Sequence, residues 1–143
     1  MKVKIKKLVE TAIVPTYAKP GDAGMDLTAT SCEFDAEHGN YVYGTGLAME
    51  IPEGYVGLIF PRSSNRKTEA YLTNHVGVID SGYRGEVMCS FKNRDKDGNT
   101  APYKVGDRVA QIIILPYPQI SFVESDELSE TERGTGGHGS TGN

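Results

Sequence analysis

The sequence predicts an all-β domain, a distorted jelly roll with at most one short helix and a flexible C-terminal tail. Three observations support this fold class. Apolar and polar residues alternate with a period of two in several short segments, turn-forming residues separate those segments, and hardly any stretch keeps a helical period. The chain has 143 residues, a length that favours one domain with its own core. We expect the β domain to span residues 1–128 and the flexible tail residues 129–143.

The alternation is clearest in three segments, residues 3–5, 56–60 and 86–92. In the last of these, Val87, Cys89 and Phe91 face one way, as expected of a half-buried antiparallel strand. Residues 109–115 are almost all apolar, and Gln111 is the single interruption. This run predicts a strand that is buried on both faces.

Turn signals rich in glycine, proline, asparagine and aspartate fall between the predicted strands. They occupy residues 20–22, 37–40, 52–54, 97–99 and 105–107. Evidence for helix is confined to Ser63 to Tyr71, which could hold one or two turns with Ser63 or Ser64 as the N-cap.

Composition and charge exclude several classes of function. The net charge of −4 argues against a general nucleic-acid binder, which needs a basic face, but a small anionic ligand stays compatible. Cys32 and Cys89 fit neither a disulfide framework nor a zinc site, and we interpret them as thiols in a reducing compartment. The N-terminus lacks the apolar region of a signal peptide and no run could span a membrane, so we expect a cytoplasmic protein without membrane contact.

The tail differs in composition from the rest of the chain. After Leu128 no aliphatic residue larger than alanine occurs, and residues 133–143 are rich in glycine. Such a segment cannot bury enough apolar surface to fold by itself. It is either a disordered end or a strap that orders over a ligand. The strap is favoured because the segment combines an arginine, an imidazole ring, hydroxyls and glycines that let backbone N–H groups converge.

Five segments carry a more specific pattern. They are Ala-Gly-Met-Asp-Leu at 23–27, Pro-Arg-Ser-Ser at 61–64, the run from Asn74 to Glu86, Gly-Asp-Arg-Val-Ala-Gln at 106–111, and the tail from Arg133. In this order, across most of the chain, they resemble the trimeric dUTPase family. The resemblance implies a β-clip fold and Mg²⁺-dependent hydrolysis of dUTP to dUMP and pyrophosphate. It also implies a homotrimer with shared active sites, and a role in limiting uracil in DNA and supplying dUMP for dTMP synthesis.

The resemblance assigns the chemistry to Asp80. In the family, the aspartate at this place activates a water that attacks the α-phosphorus in line. A carboxylate suits that task because it accepts a proton while orienting the water. Without the resemblance, the sequence Asp-Ser-Gly at this place would more readily mark a turn.

The resemblance also implies a β-hairpin pocket for uracil, formed by Asn74, Gly77, Val78 and Ile79. Its main-chain groups would meet the polar edge of the base, and cytosine would leave buried groups unpaired. Tyr83 would lie under the deoxyribose, where its ring leaves no space for a 2′-hydroxyl. Met88, on the following strand, would add a main-chain contact.

Arg62, Ser63 and Ser64 resemble the family's phosphate clamp, in which a guanidinium and backbone N–H groups meet an anion. Many family members have glycine where this chain has Ser64. The family places Gln111 on the α-phosphate. From the residues alone a backbone or water partner for Gln111 stays open, because a buried amide without any partner costs about 1–3 kcal/mol.

Asp26 corresponds to the aspartate that holds a magnesium-bound water in the family. Mg²⁺ keeps several waters and takes its other ligands from phosphates, so we expect no cage of protein ligands. We expect Asp107 and Arg108 to hold a turn and subunit contacts.

In the tail, the resemblance assigns Arg133 to the γ-phosphate, with help from Gly139, Ser140 and Thr141. His138 stands where the family usually has a phenylalanine that stacks on uracil. Imidazole buries less area than a phenyl ring. We therefore expect weaker substrate affinity, and pH sensitivity as the ring becomes charged near a pKa of about 6.5.

Three alternatives remain at this point. A dCTP deaminase has a related fold, but it needs a glutamate on the strand where this chain has Ser90, and without that carboxylate the proton transfers lack their agent. The fold could instead serve as a nucleotide-sensing or protein-binding module, as in some viral relatives. A purely structural trimer would leave the polar residues in the glycine-rich segments unexplained.

Overall fold

The computed structural model describes residues 1–93 and 100–137. Within these ranges it contains nine strands and one short 3₁₀ turn, which confirms the predicted all-β fold class. The strands are β1 (Lys4–Lys7), β2 (Met25–Thr28), β3 (Ser31–Asp35), β4 (Asn40–Glu50), β5 (Tyr55–Pro61), β6 (Ala70–Leu72), β7 (Gly77–Ile79), β8 (Glu86–Asn93) and β9 (Arg108–Pro116), and the 3₁₀ turn is Ser63–Lys67.

The strands form two antiparallel sheets. In the first sheet the order is β1-β4-β8-β6, and β3 also pairs with the long strand β4. In the second sheet the order is β2-β9-β5-β7. The core between them is made of side chains that are fully excluded from solvent, led by Tyr43, Phe91, Leu27, Ile59 and Ile112.

The predicted faces of the strands hold in part. Val87, Cys89 and Phe91 of β8 are at most 1% exposed, as their alternation predicted. The prediction that residues 109–115 are buried on both faces holds for Val109, Ala110 and Ile112, which are 0% exposed, and was wrong at the end of β9. Leu115 is 44% exposed, because the face of β9 that carries Gln111 and Leu115 opens towards the surface.

The predicted turns separate the strands as expected. Residues 36–39 join β3 to β4, which places the predicted turn at 37–40 one residue into β4. The predicted turn at 52–54 lies between β4 and β5 and ends at Gly54, whose φ of +81° is left-handed. The predicted turn at 97–99 lies outside the described residues. The predicted serine N-cap was wrong: the 3₁₀ turn is capped by Arg62 without a side-chain hydrogen bond. The hydroxyl of Ser64 is engaged elsewhere, since it accepts a hydrogen bond from the Arg62 guanidinium.

Regular structure ends at Pro116, and residues 117–137 contain no strand or helix. Apolar side chains in this segment are left uncovered: Phe122, Val123 and Leu128 are 91%, 87% and 90% exposed. Among the described residues no helix has the length and apolar character needed to cross a membrane.

Candidate active site

The first candidate site is a small cavity at the place where β7 ends, which we call the Asp80 pocket. Its volume is about 170 Å³, and its lining residues are Val78, Ile79, Asp80, Tyr83, Glu86 and Met88. All of these except Glu86 were assigned to the site from the sequence. Asp80 directly follows β7 and is exposed. Its carbonyl oxygen accepts a hydrogen bond from the Tyr83 N–H at 3.1 Å, which closes the turn that shapes the pocket.

The wall of the pocket is an edge strand rather than a regular hairpin. β7 pairs with β5 in the second sheet, whereas β8 pairs with β4 and β6 in the first. The predicted β-hairpin was therefore wrong, because the turn at Asp80–Tyr83 carries the chain from one sheet to the other. β7 has no further strand partner in the described chain, so alternate N–H and C=O groups point outwards. A planar polar ring can still pair with that edge.

Asn74 and Gly77 lie beside the pocket rather than in its lining. Gly77 is buried, and a Cβ atom at this position would lie 3.1 Å from Cβ of Ile59 and 3.5 Å from Nδ2 of Asn74. Asn74 itself is exposed and precedes His75, whose φ of +60° is left-handed. Asn74 thus lies in the turn before β7, and Gly77 lets the start of β7 pack closely on Ile59 of β5.

Tyr83 is held in place by its hydroxyl and by a glycine. The hydroxyl donates to the carbonyl oxygen of Glu86 at 2.9 Å. The ring lies across Gly85, where a Cβ atom would come within 2.9 Å of Cε2 of Tyr83. Gly85 therefore provides the space that the Tyr83 ring occupies at the wall of the pocket.

Glu86 was not assigned to the site from the sequence. Its Oε1 accepts a hydrogen bond from the N–H of Gly46 at 2.6 Å. Gly46 has a φ of +66° and lies where the register of β4 and β8 shifts, between Gly44 and Ala48. The sequence contains a signal for this contact in Gly44 and Gly46, two glycines within what the structure shows to be β4, because glycines inside a strand mark a bulge or a close approach.

The second candidate site is a larger cavity of about 370 Å³, which we call the clamp cavity. It brings together residues from three of the predicted segments, 23–27, 61–64 and 106–111, and from the loop before β2. Its lining residues are Thr16, Ala18, Asp22, Ala23, Gly24, Asp26, Arg62, Ser63, Gln111 and Ile113.

An ion-pair network organises the clamp cavity. Arg62 holds Asp26 in a two-pronged contact, with Nε donating to Oδ1 at 2.6 Å and Nη2 to Oδ2 at 3.1 Å. Its Nη1 donates to the Ser64 hydroxyl at 3.0 Å. Arg108 adds a third donor to Asp26, from Nη1 to Oδ2 at 3.1 Å. The contact of Arg108 with Asp26 was not predicted from the sequence. This two-pronged contact fixes the orientation of the Arg62 guanidinium and therefore the direction of its remaining N–H groups.

Gln111 has a backbone hydrogen-bond partner, one of the two alternatives that the sequence left open. Its Nε2 donates to the carbonyl oxygen of Pro61 at 3.0 Å. Its Oε1 packs so closely on Gly24 that a side chain at that position would collide with it. Gln111 therefore joins β9 to the end of β5, directly before the clamp residues, while it lines the cavity.

Of the predicted tail residues, Arg133 is the one that lies in the described part of the chain, and it lines neither cavity. Arg133 is exposed, and its Nε donates to the carbonyl oxygen of Gly136 at 2.9 Å, within the tail itself. His138, Gly139, Ser140 and Thr141 lie outside the described residues.

The comparisons with known proteins agree on one family. The sequence profile of the dUTPase family matches residues 10–142. A deoxyuridine 5′-triphosphate nucleotidohydrolase of Nocardia farcinica is 41% identical over 98% of this chain and 85% of that protein. One from Nautilia profundicola is 41% identical over 99% of both chains.

Solved structures show the same likeness. The dUTPase of Staphylococcus bacteriophage 80alpha with dUpNHpp has a TM-score of 0.83 at 27% identity, and covers 99% of both chains. A mutant dUTPase of phage phi11 of S. aureus, described with a structural Mg(II) ion, has a TM-score of 0.75 at 26% identity, and the match covers 89% of this chain and 98% of that one. The chain therefore belongs to the dUTPase family, the enzymes that hydrolyse dUTP.

Proposed function

We propose that this enzyme cleaves dUTP to dUMP and pyrophosphate by attack of an Asp80-activated water on the α-phosphorus, with Mg²⁺ bound to the phosphates. The observation that carries this proposal is the position of Asp80, an exposed carboxylate on the rim of a pocket whose wall is an open strand edge. An exposed carboxylate can accept the proton of a water that it orients, and the attack needs only that water in line with the leaving group.

The separation of the two cavities supports an active site that is shared between subunits. In the second sheet, Asp26 of β2 pairs with Gln111 of β9, which in turn pairs with Phe60 of β5. At the other edge of the sheet, Ile79 of β7 pairs with Gly57 of β5. Asp26 and Asp80 are therefore about 14 Å apart across the sheet and about 13 Å apart along it. A single α-phosphate cannot touch both places in one chain, so the Asp80 pocket of one subunit must face the clamp cavity of another. A homotrimer with three shared sites satisfies this requirement by closed symmetry.

The clamp cavity fits a metal that is held through water. Among the described residues, Asp26 is the only carboxylate that pairs with Arg62 and Arg108. Three donors already occupy most of its acceptor sites, of which a carboxylate has about four. No group of three or more potential ligand side chains occurs among the described residues. This arrangement would suit an Mg²⁺ ion that takes its ligands from the phosphates and from water, with one of those waters hydrogen-bonded to Asp26. Such an ion neutralises charge that develops on the triphosphate.

The residues around the pocket would select the base and the sugar. The outward N–H and C=O groups of β7 can pair with the edge of uracil as a neighbouring strand would, and cytosine would reverse part of that pattern. Tyr83, fixed by its hydroxyl and by Gly85, would close the space next to C2′ of the sugar.

The phosphates would be bound by Arg62, which keeps spare N–H donors beyond those that it gives to Asp26 and Ser64. Arg133, His138, Gly139, Ser140 and Thr141 would complete the site as a strap from the third subunit.

The deaminase alternative is not favoured. The hydroxyl of Ser90 lies buried on β8 without a hydrogen-bond partner among the described residues, and no carboxylate takes the place that deamination requires. A binding module without turnover is distinguished by the assay that follows.

The proposal is tested with dUTP, dCTP, dTTP and UTP, by measurement of pyrophosphate and ammonia release in the presence of Mg²⁺. Native protein should release pyrophosphate from dUTP and not from dCTP, dTTP or UTP. Asp80→Asn should lower kcat by roughly 10²- to 10⁴-fold, as expected for the loss of a general base. Glu37→Gln, an equivalent change in the exposed turn between β3 and β4, is the control and should keep full activity. Undiminished hydrolysis by Asp80→Asn would overturn the mechanism.

Mixing two inactive variants tests the shared site. If Asp80→Asn and Arg62→Ala subunits are unfolded and refolded together, random assembly gives about one quarter of the sites an intact pocket and an intact clamp. Activity should then rise above that of either parent. A site contained in one chain would regain nothing, because every chain carries one defect.

A further inference from the structure

The strongest unassigned feature is a polar contact behind the phosphate clamp. Asn65 follows Arg62, Ser63 and Ser64 directly in the 3₁₀ turn. Its Nδ2 donates to the carbonyl oxygen of Ala70 at 2.9 Å. Its Oδ1 accepts a hydrogen bond from the Thr68 hydroxyl at 3.2 Å and a short one from the Tyr103 hydroxyl. The amide of Asn65 is thus bonded on both sides, and its contacts fix the turn that carries the clamp.

Tyr103 is itself held rigidly against the core of the first sheet. Its N–H donates to the Tyr43 hydroxyl and its carbonyl oxygen accepts from the same hydroxyl, both at 3.0 Å. Its ring meets Tyr43 edge-on at 5.9 Å and Phe91 at 5.2 Å, and both of those residues are 0% exposed. Its hydroxyl is a donor at neutral pH, as for any tyrosine with a pKa of about 10, and burial raises the pKa of Tyr103 further.

The 3₁₀ turn needs such an anchor. It has only five residues, none of which is buried, and turns of this length gain little stability from their own hydrogen bonds. The Tyr103 hydroxyl ties this turn to a residue that packs on Tyr43 and Phe91, two buried side chains of the first sheet. A shift of the turn by a fraction of an ångström would move the Ser63 and Ser64 N–H groups and the Arg62 guanidinium together, and catalysis is sensitive to such shifts.

We propose that Tyr103, through its hydroxyl on Asn65, is a positioning residue that holds the phosphate clamp in the geometry required for the triphosphate. This inference rests on the proposed function of the clamp. Tyr103 lines neither the clamp cavity nor the Asp80 pocket, so it acts through Asn65 and does not touch substrate.

The test uses the full chain and compares native protein with Tyr103→Phe, which keeps the ring packing and removes only the hydroxyl. The expected result is a fall of about 5- to 30-fold in kcat/KM for dUTP, the cost of one lost hydrogen bond to a clamp group. Inhibition by inorganic pyrophosphate, a probe of the clamp alone, should weaken by a similar factor. Inhibition by deoxyuridine, a probe of the Asp80 pocket alone, should stay unchanged. Tyr55→Phe is the matched control, since the Tyr55 hydroxyl has no hydrogen-bond partner among the described residues.

A double-mutant cycle makes the test independent of any one variant. Asn65→Ala should reproduce the loss, and Tyr103→Phe added to it should cost less than about 2-fold more, because the two side chains act through one bond. Additive losses would overturn the proposal. So would a Tyr103→Phe protein that melts at a lower temperature but keeps native kcat/KM and native pyrophosphate inhibition, since that result makes the bond merely structural. If native protein itself released no pyrophosphate from dUTP, the proposed function would fail instead, and the two failures are thereby distinguished.

Discussion

Replacing Gly85 with alanine puts a methyl group where the Tyr83 ring now lies. The new Cβ atom would be within 2.9 Å of Cε2 and closer still to the hydroxyl end of the ring, so the ring has to move. Gly85 has no left-handed φ, which means that alanine fits its backbone without strain. Tyr83 is 40% exposed, and it can swing outwards without opening the core. The change therefore displaces one side chain of the pocket and leaves the fold intact.

The size of the effect follows from what the ring loses. The hydrogen bond from the Tyr83 hydroxyl to the Glu86 carbonyl is worth about 1 kcal/mol, and an off-rotamer side chain costs about 0.5–1.5 kcal/mol. If the displaced ring no longer supports the sugar and these terms are lost from the transition state, kcat/KM for dUTP should fall by roughly 10- to 70-fold. UTP should lose less than dUTP, because the space beside C2′ opens, and the preference for the deoxy substrate should narrow.

Steady-state kinetics with dUTP and UTP, beside thermal unfolding, provide the assay. Gly82→Ala is the matched control, because it makes the same change three residues earlier, where a Cβ atom would meet nothing within 4 Å. The control should keep native kinetics and unfold within about 1 kcal/mol of the native protein. Gly85→Ala should lose no more stability than the displaced ring costs, about 2.5 kcal/mol. The reasoning fails if Gly85→Ala retains the native kcat/KM for dUTP together with the native ratio of dUTP to UTP.

Two further predictions concern stability and the tail. Burial raises the pKa of Cys89 to about 12, whereas an unfolded thiol ionises near 8.5. Between these values the unfolded state binds fewer protons, so stability should fall as pH rises, by up to about 1.4 kcal/mol per unit from this thiol. Urea titrations at mildly and strongly alkaline pH should show that Cys89→Val loses this part of the slope, and an equal slope in both proteins would contradict the assignment. Deleting residues 133–143 should leave the unfolding transition unchanged, because the described part of that segment bonds only within the tail, yet reduce turnover by roughly 10²-fold. Full activity in the truncated protein would refute the strap.

The sequence alone was sufficient for the fold class and for most members of the candidate site. Period-two alternation put Val87, Cys89 and Phe91 inside, and glycine marked the turns, because strand faces and turn conformations depend on residues that are near in the chain. The resemblance of five segments to the dUTPase family supplied Asp80, Tyr83, Arg62 and Gln111. These features are encoded within a few residues of where they act.

Only the tertiary structure decided which of these residues meet. Asp26 joins Arg62 and Arg108 across 36 and 82 positions, and Tyr103 reaches Asn65 across 38. The assignment of β7 to one sheet and β8 to the other put the Asp80 pocket and the clamp cavity at opposite edges of the second sheet. Contacts of this kind depend on how the two sheets pack against each other, and that packing is set by the burial of all the strands together. A short stretch of sequence does not contain this information, because the residues that pack together are far apart in the chain.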